Sequence, residues 1–221
     1  MPARKTTLTT LRAEIIAVAQ ALDEAGLLLN KSGNLSCRTE RGFLVTPSGV
    51  DYKDIKLGEI VELEIDGQPD ASGPRPSSEW RLHAAIYAAR PGVSAIVHTH
   101  SPYATALACA GRGIPAFHYM IALAGGAIRC MPYSTFGSAE LAVSAVQGLE
   151  GRRATLLANH GVVAVGPSLA RARAVAVEVE NLAGQYLSML SAGLEPVVLG
   201  DQELRKVIAK FIEYHRLDEP G

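Results

Sequence analysis

The feature of this sequence that most constrains its fold is an irregular alternation of short apolar segments with longer amphipathic segments. In the first amphipathic segment, apolar residues recur at three- and four-residue spacing from Leu8 to Leu22, and Gly26 provides a stop. That pattern is typical of a helix. The same reasoning predicts helices over about 78–90, 103–110, 138–149, 168–192 and 202–215.

The short apolar segments predict the strands of a sheet. They are Asn34–Arg38, Gly42–Thr46, Ile60–Ile65, Val93–His98, a strand around Ile128, Ala154–Asn159 and Val162–Val165. Residues 67–78 are rich in Gly, Pro and Ser, but the composition does not change across them, so we interpret them as a loop. Because strands and helices alternate irregularly, with hairpin-like pairs early, we predict a single α/β domain over residues 1–221. Its central sheet is expected to be mostly antiparallel and flanked by helices.

Composition and charge argue against several classes of protein. The chain has 221 residues, of which 48% are hydrophobic and 19% are charged, and its formal net charge is −1. The basic residues form no stripe, so nucleic-acid binding is not predicted. No apolar run approaches the roughly 20 residues that cross a bilayer, and the three cysteines are too scattered for a disulfide framework. We therefore expect a cytoplasmic protein that binds a small molecule, with neither nucleic acid nor membrane as a partner.

Two histidines at the end of one predicted strand indicate a metal site. His98 and His100 are two residues apart in the segment SAIVHTH, and side chains at i and i+2 of a strand lie on the same face. Both imidazoles can therefore reach one ion. Taken alone, the pair is also compatible with surface or core histidines that share no role.

Two further residues strengthen this prediction. His160 lies in Asn-His-Gly between two apolar strands, where an unpaired imidazole is costly. Glu79 lies in the first turn of a predicted helix, where it either completes the ligand set or only complements the helix dipole. Three histidines and one carboxylate are an ordinary ligand set for a catalytic zinc ion, which keeps a position for substrate. His83, four residues after Glu79, is a candidate partner of a ligand.

Five segments together resemble the class II aldolase/adducin family. They are PSSEWRLHAAIYAARP, IVHTHSPYATALA, IPAFHYMIALAGG, PYSTFGS and ATLLANHGVVA, and the likeness extends in order from the first helix to Tyr214. Within the family, the likeness is to the members that cleave L-fuculose 1-phosphate. The resemblance implies the family's fold and one zinc ion per chain, held by Glu79, His98, His100 and His160.

The resemblance also implies the other parts of an active site. A phosphate pocket falls on Gly33, Asn34, Ser48, Gly49, Ser77 and Ser78. Serine hydroxyls and free backbone N–H groups at the start of a helix suit an anion, and glycine lets the backbone approach a phosphate closely. The family's catalytic tyrosine, which a neighbouring subunit lends, falls on Tyr119; a C-terminal tyrosine falls on Tyr214, and an aromatic lining position on Phe136. The resemblance also implies a homotetramer with the active site between subunits.

One departure from the family pattern lies beside this pocket. Family members often have small residues before the Gly-Asn pair, whereas this chain has Asn30, Lys31 and Ser32 there. Asn30 tolerates a left-handed backbone conformation. Lys31 is either solvated or adds positive charge to the phosphate pocket.

The resemblance therefore implies a zinc-dependent aldolase that reversibly cleaves a ketose 1-phosphate to dihydroxyacetone phosphate and an aldehyde. Zinc would act as a Lewis acid, Glu79 would move a proton at the carbon beside the broken bond, and Tyr119 would move the proton of the aldehyde oxygen. Alternatives on the same scaffold are a deoxy- or methylthio-pentulose-phosphate aldolase, a pentulose-phosphate 4-epimerase, a dehydratase or a decarboxylase. A non-catalytic interaction module would lack the ligands, and a metallohydrolase would have no use for the serine-rich pocket.

Overall fold

The computed structural model of the protein describes residues 7–217, with side chains as far as Glu213. The helices in this part of the chain are α1 (Leu8–Glu24), α2 (Trp80–Ala89), α3 (Pro102–Cys109), α4 (Ala139–Gly148), α5 (Leu169–Ser191) and α6 (Asp201–Leu217). The strands are β1 (Asn34–Arg38), β2 (Gly42–Val45), β3 (Val61–Glu64), β4 (Ala95–Thr99), β5 (Cys130–Met131), β6 (Ala154–Leu157) and β7 (Gly161–Gly166). Within residues 7–217, no helix combines the length and the apolar character needed to span a bilayer.

The strands form one sheet in the order β3-β2-β1-β4-β7-β6-β5. All neighbouring pairs are antiparallel except β5 and β6, so the predicted fold class is confirmed. At the centre of the sheet, β4 pairs with β1 so that His98 lies opposite Asn34. On its other side, β4 pairs with β7, with Thr99 opposite Val162. These two pairings bring the start of β1, the end of β4 and the start of β7 to one end of the sheet.

Helices cover both faces of the sheet because successive strand residues point to opposite faces. On β4, Val97 packs in the core formed with α1, α3 and α5, whereas its neighbour Ile96 packs in the core formed with α2 and α4. One face of the sheet thus packs against α1, α3 and α5, and the other packs against α2 and α4. His98 lies on the same face as Ile96, and its side chain points towards α2.

The start of α3, directly after the histidine-bearing end of β4, is held by a distant carboxylate. Ser101 stands at the N-cap but its side chain makes no capping hydrogen bond. The Glu180 carboxylate of α5 accepts hydrogen bonds from Tyr103 N at 2.8 Å and Ala104 N at 2.9 Å. Glu180 therefore satisfies two helix-terminal donors that would otherwise lack partners.

Replacing Glu180 with alanine should destabilise the protein by about 0.5–2 kcal/mol, because two N–H groups at a helix start lose their acceptor. The free energy of unfolding, measured by urea titration, tests this. Glu178→Ala is the matched control, since the Glu178 carboxylate accepts a hydrogen bond from the Asn181 side chain within the same helix. Equal losses in the two variants would contradict the capping role.

Among the local features that differ from the sequence-based expectation, two lie between α3 and α4. The strand expected around Ile128 is formed by Cys130–Met131, and Ile128 instead makes an isolated bridge with Ile114. Residues Tyr119–Ala124 form a 3-10 helix that the apolar pattern did not predict, and it ends at Gly125 with a φ of 83°. Both features depend on contacts with other segments, which local periodicity does not report.

Candidate metal centre

Four side chains that the sequence singled out converge at one end of the central strands. They are Glu79, His98, His100 and His160, and one ligand atom from each lies within 4.8 Å of all the others. Glu79 precedes α2, and His160 lies in the turn between β6 and β7. His98 lies near the end of β4, and His100 directly follows that strand. The predicted grouping of these four residues is present in the structure.

The turn that carries His160 owes its shape to its two neighbours. Asn159 adopts a φ of 55°, a left-handed conformation that asparagine tolerates better than most residues. A Cβ atom on Gly161 would overlap the carbonyl oxygen of Thr99. Glycine at this position therefore allows β7 to begin in close contact with the end of β4, and this contact places His160 beside His98.

The distances among the four side chains match the spacing of ligands around one ion. Glu79 Oε2 lies 3.1 Å from His98 Nε2, and Glu79 Oε1 lies 3.1 Å from His160 Nε2. His98 Nε2 is 3.2 Å from His160 Nε2 and 3.0 Å from His100 Nε2. Ligands about 2.05 Å from a tetrahedral zinc ion are about 3.3 Å apart. The donor set therefore fits a tetrahedral divalent cation.

Hydrogen bonding also prepares the His98 ring to bind a cation. His98 Nδ1 donates to the carbonyl oxygen of Val162 at 2.7 Å, so the lone pair of neutral His98 lies on Nε2 and faces the cluster. Glu79 Oε1 is buried and receives no well-aligned hydrogen bond from the described residues. Ring nitrogens and carboxylate oxygens thus face one another at distances that a shared proton or a bound cation can bridge.

The local electrostatics favour a carboxylate surrounded by imidazoles. Burial opposes ionisation of Glu79, but the neighbouring imidazoles of His98 and His160 outweigh it and hold the pKa of the carboxyl well below its usual range. Burial, followed by the charges of His98 and His160, lowers the pKa of His100 to about 3. For His98, Glu79 overcomes the effect of burial and raises the pKa. A neutral His100 ring suits a metal ligand, because a protonated imidazole cannot bind a cation.

Replacing His98 or His160 with alanine should abolish stoichiometric metal binding while leaving a folded protein, because each change removes one of four convergent donors. Elemental analysis after dialysis measures the metal content, and circular dichroism reports the fold. His118→Ala is the control, since His118 caps the 3-10 helix rather than joining the cluster. Full metal occupancy in the His98 and His160 variants would refute this assignment.

A cavity of about 290 Å³ opens beside the cluster. Its lining includes Glu79, His100 and His160 together with the predicted substrate residues Gly33, Asn34, Ser48, Gly49, Ser77, Ser78 and Phe136. Sequence reasoning missed Tyr133, Ser134 and Asn159, which also line it. The sequence signal that could have found them is proximity to predicted site residues. Tyr133 and Ser134 share a loop with Phe136, and Asn159 directly precedes His160.

The cavity offers an anion several side-chain hydroxyl groups, whereas two of its backbone amides are already used. The backbone N–H groups of Ser48 and Ser77 already donate to the carbonyl oxygens of Arg75 and Thr46, so they are not the free amides that the sequence led us to expect. Ser77 Oγ accepts a hydrogen bond from Glu79 N at 3.3 Å, which leaves its proton for another acceptor. Gly49 has a φ of 76°, a conformation that favours glycine.

Asn34 lies between the cavity and a second layer of buried polar groups. Its Nδ2 donates to Glu79 Oε2 at 2.9 Å, and its Oδ1 contacts His83 Nε2. Both ends of the Asn34 amide are therefore engaged. Its nitrogen bonds to Glu79, a candidate metal ligand. His83, expected as a partner of a ligand, reaches Glu79 through Asn34.

Tyr119 lies apart from the cavity of its own chain. Tyr119 begins the 3-10 helix, is 54% exposed, and is absent from the described residues that line the cavity. Its ring neighbours Phe211 of α6, with 6.3 Å between centroids. Tyr214 lies on α6, but its side chain falls outside the described part of the chain.

Lys31 lies at the mouth of the cavity in an unusual backbone conformation. Both Asn30 and Lys31 have positive φ, 54° and 62°. Among the described lining residues, Lys31 is the one lysine or arginine, and it is exposed. Its position leaves its side chain accessible to water and to a ligand in the cavity.

Comparison with known proteins gives consistent matches over most of the chain. A profile of the class II aldolase and adducin N-terminal domain matches residues 13–187. A 5-methylthioribulose-1-phosphate/5-deoxyribulose-1-phosphate aldolase of Rhodospirillum rubrum is 48% identical over 206 residues, covering 92% of each chain. An L-fuculose phosphate aldolase of Escherichia coli strain K12 is 42% identical over 202 residues, covering 91% of this chain and 94% of its own. A solved L-fuculose 1-phosphate aldolase has a TM-score of 0.87 and 42% identity, covering 91% of this chain and 95% of its own.

Proposed function

Because this chain belongs to the class II aldolase and adducin N-terminal domain family, we propose that it is a metal-dependent aldolase. It reversibly cleaves a ketose 1-phosphate to dihydroxyacetone phosphate and an aldehyde. The observation that carries the proposal is the intact set of one carboxylate and three imidazoles in the wall of a cavity lined by serines. The relatives named above act on ketose 1-phosphates that differ in the aldehyde half.

Zinc is the proposed metal, held by Glu79, His98, His100 and His160. The nitrogen-rich donor set and its near-tetrahedral spacing support zinc over cations that prefer oxygen ligands. When bound, zinc supplies a Lewis acid that stabilises negative charge on the substrate oxygens next to the breaking bond.

The side chains of the enzyme move the protons of the reaction. In the cleavage direction, the C4 hydroxyl gives up its proton, and C4 becomes the aldehyde carbon as the C3–C4 bond breaks. The electron pair of that bond remains with C3, which then takes up a proton. We assign the proton at C3 to Glu79 and the proton of the aldehyde oxygen to Tyr119. Ser48, Ser77 and Ser78 hold the phosphate through their hydroxyls, with Gly33 and Gly49 allowing close approach.

The proposal places Tyr119 in the active site of a neighbouring subunit within a homotetramer. Its support is that the exposed Tyr119 lies on a surface with α6, away from the cavity of its own chain. Phe136, which lines the cavity of its own chain, and Tyr214 are assigned to the aldehyde side of an active site. A cytoplasmic location is part of the proposal, and the free state of Cys37, Cys109 and Cys130 supports it.

Incubation with dihydroxyacetone phosphate in deuterated water distinguishes an aldolase from an epimerase. The parent should exchange one hydroxymethyl hydrogen stereospecifically without aldehyde, and Glu79→Gln should lose this exchange because it lacks the carboxylate that carries the proton. Tyr119→Phe should keep the exchange but cleave more slowly. NMR follows the labelling, and release of dihydroxyacetone phosphate follows cleavage.

The matching cleavage assay uses L-fuculose, 5-deoxyribulose and 5-methylthioribulose 1-phosphates in parallel. If the parent releases dihydroxyacetone phosphate from none of them, shows no exchange, and interconverts two pentulose phosphates, the epimerase alternative replaces the aldolase.

Ser77→Ala and Ser78→Ala should weaken binding of the phosphorylated ketose while changing turnover less. A hydrogen bond to a charged group contributes about 1.5–3 kcal/mol, so the expected loss of affinity is about 10- to 150-fold. Steady-state kinetics with and without the substrate phosphate measures the effect. A similar loss with the unphosphorylated ketose would place the serines outside the phosphate pocket.

A further inference from the structure

A chain of buried hydrogen bonds leads away from Glu79 beneath the metal centre. Asn34 Nδ2 donates to Glu79 Oε2 at 2.9 Å, and Asn34 Oδ1 contacts His83 Nε2. His83 Nδ1 lies 2.6 Å from Ser36 Oγ, and Ser36 Oγ lies 2.8 Å from the Tyr87 hydroxyl. We call these five residues the polar ladder. His83, Ser36 and Tyr87 line neither the cavity nor the metal cluster.

The ladder arises from a match between one helix and one strand. Glu79, His83 and Tyr87 are spaced four residues apart at the start of and along α2, so they share a face and rise about 6 Å per step. Asn34 and Ser36 are two residues apart on β1, so they share a face and rise about 6.8 Å. Each strand residue therefore fits between two helix residues.

The chemistry of the groups sets the direction of every bond. A carboxylate only accepts, so the Asn34 amide nitrogen faces Glu79 and its oxygen faces His83. That oxygen requires His83 Nε2 to donate. His83 is wholly buried, and as a neutral ring it carries a single N–H, so its Nδ1 accepts from Ser36. Ser36 has then used its proton, and Tyr87 must donate to it. All four bonds point towards Glu79.

Packing holds the far end of the ladder in place. Tyr87 is buried, and its ring lies 5.3 Å from that of Phe43. Arg38 of β1 covers the same ring at 4.7 Å from its centroid and donates to the carbonyl oxygen of Tyr87 at 2.8 Å. These contacts of β1 with Tyr87 fix the position of α2 relative to β1.

We propose that His83 is a positioning residue that orients the Glu79 carboxylate towards the three histidines by fixing the amide of Asn34. Without the His83 N–H, that amide is free to turn its oxygen towards Glu79 Oε2, where two acceptors repel each other. Ser36 and Tyr87 support His83 by holding its tautomer. The proposal rests on the assignment of Glu79 as a metal ligand and proton carrier.

The test compares zinc affinity and the absorption spectrum of the cobalt-substituted protein in variants of the full chain. His83→Leu fills the space but removes the N–H, and zinc affinity should fall about 10- to 100-fold, with a changed cobalt spectrum. His83→Gln retains one donor and one acceptor and should restore most of the affinity. Thr155→Val, which loses a buried hydroxyl bonded to Arg129 O away from the cluster, should leave both measurements at parental values.

Ser36→Ala provides a second variant should His83→Leu fail to fold. It leaves His83 Nδ1 without a donor, so the tautomer is no longer held, and zinc affinity should fall with a shifted cobalt spectrum. If His83→Leu folds and keeps the parental zinc affinity and cobalt spectrum, the proposal is overturned. If His83→Leu does not fold, parental zinc affinity and cobalt spectrum in Ser36→Ala overturn it. If the parent binds zinc but cleaves no ketose 1-phosphate, the proposed function fails, whereas the zinc and cobalt results still decide the positioning role.

Discussion

The antiparallel pairing of β4 with β1 on one side and β7 on the other is the interaction on which the site depends. It sets His98 opposite Asn34 and brings the carbonyl oxygen of Val162 to the His98 ring. A slip of one residue in a strand pair turns every side chain to the other face of the sheet. The register therefore decides whether the imidazoles meet Glu79 or enter the apolar core against α5.

Three imidazoles that converge on one buried carboxylate lie in close contact with one another as well as with Glu79. The ring nitrogens lie 3.0–3.2 Å apart, so a shared proton or a bound cation is needed to relieve the repulsion of their lone pairs. Binding of a divalent metal then contributes directly to the free energy of folding. The same cluster that the proposed reaction requires is therefore a place where metal binding and stability are coupled.

Rigid and exposed parts of the molecule have separate tasks in the proposed enzyme. The metal ligands and the polar ladder lie on the central sheet and α2, and packing and paired hydrogen bonds hold them on several sides. Tyr119 and α6 instead form an exposed surface away from the cavity. Precise placement of a metal requires ligands that are held by packing and hydrogen bonds. A residue that acts in a neighbouring subunit must instead lie on an exposed surface.

Local pattern by itself determined much of this protein. Helical and strand periodicity predicted nearly every element, and the i, i+2 spacing of His98 and His100 predicted two ligands on one face. Only the tertiary structure decided that Asn34 contacts Glu79 and His83, that the amides of Ser48 and Ser77 are already used, and that Tyr119–Ala124 forms a 3-10 helix. The physical reason is the range of the interactions. Periodicity records which residues share a face of one element, whereas hydrogen bonds between β1 and α2 depend on how distant segments pack.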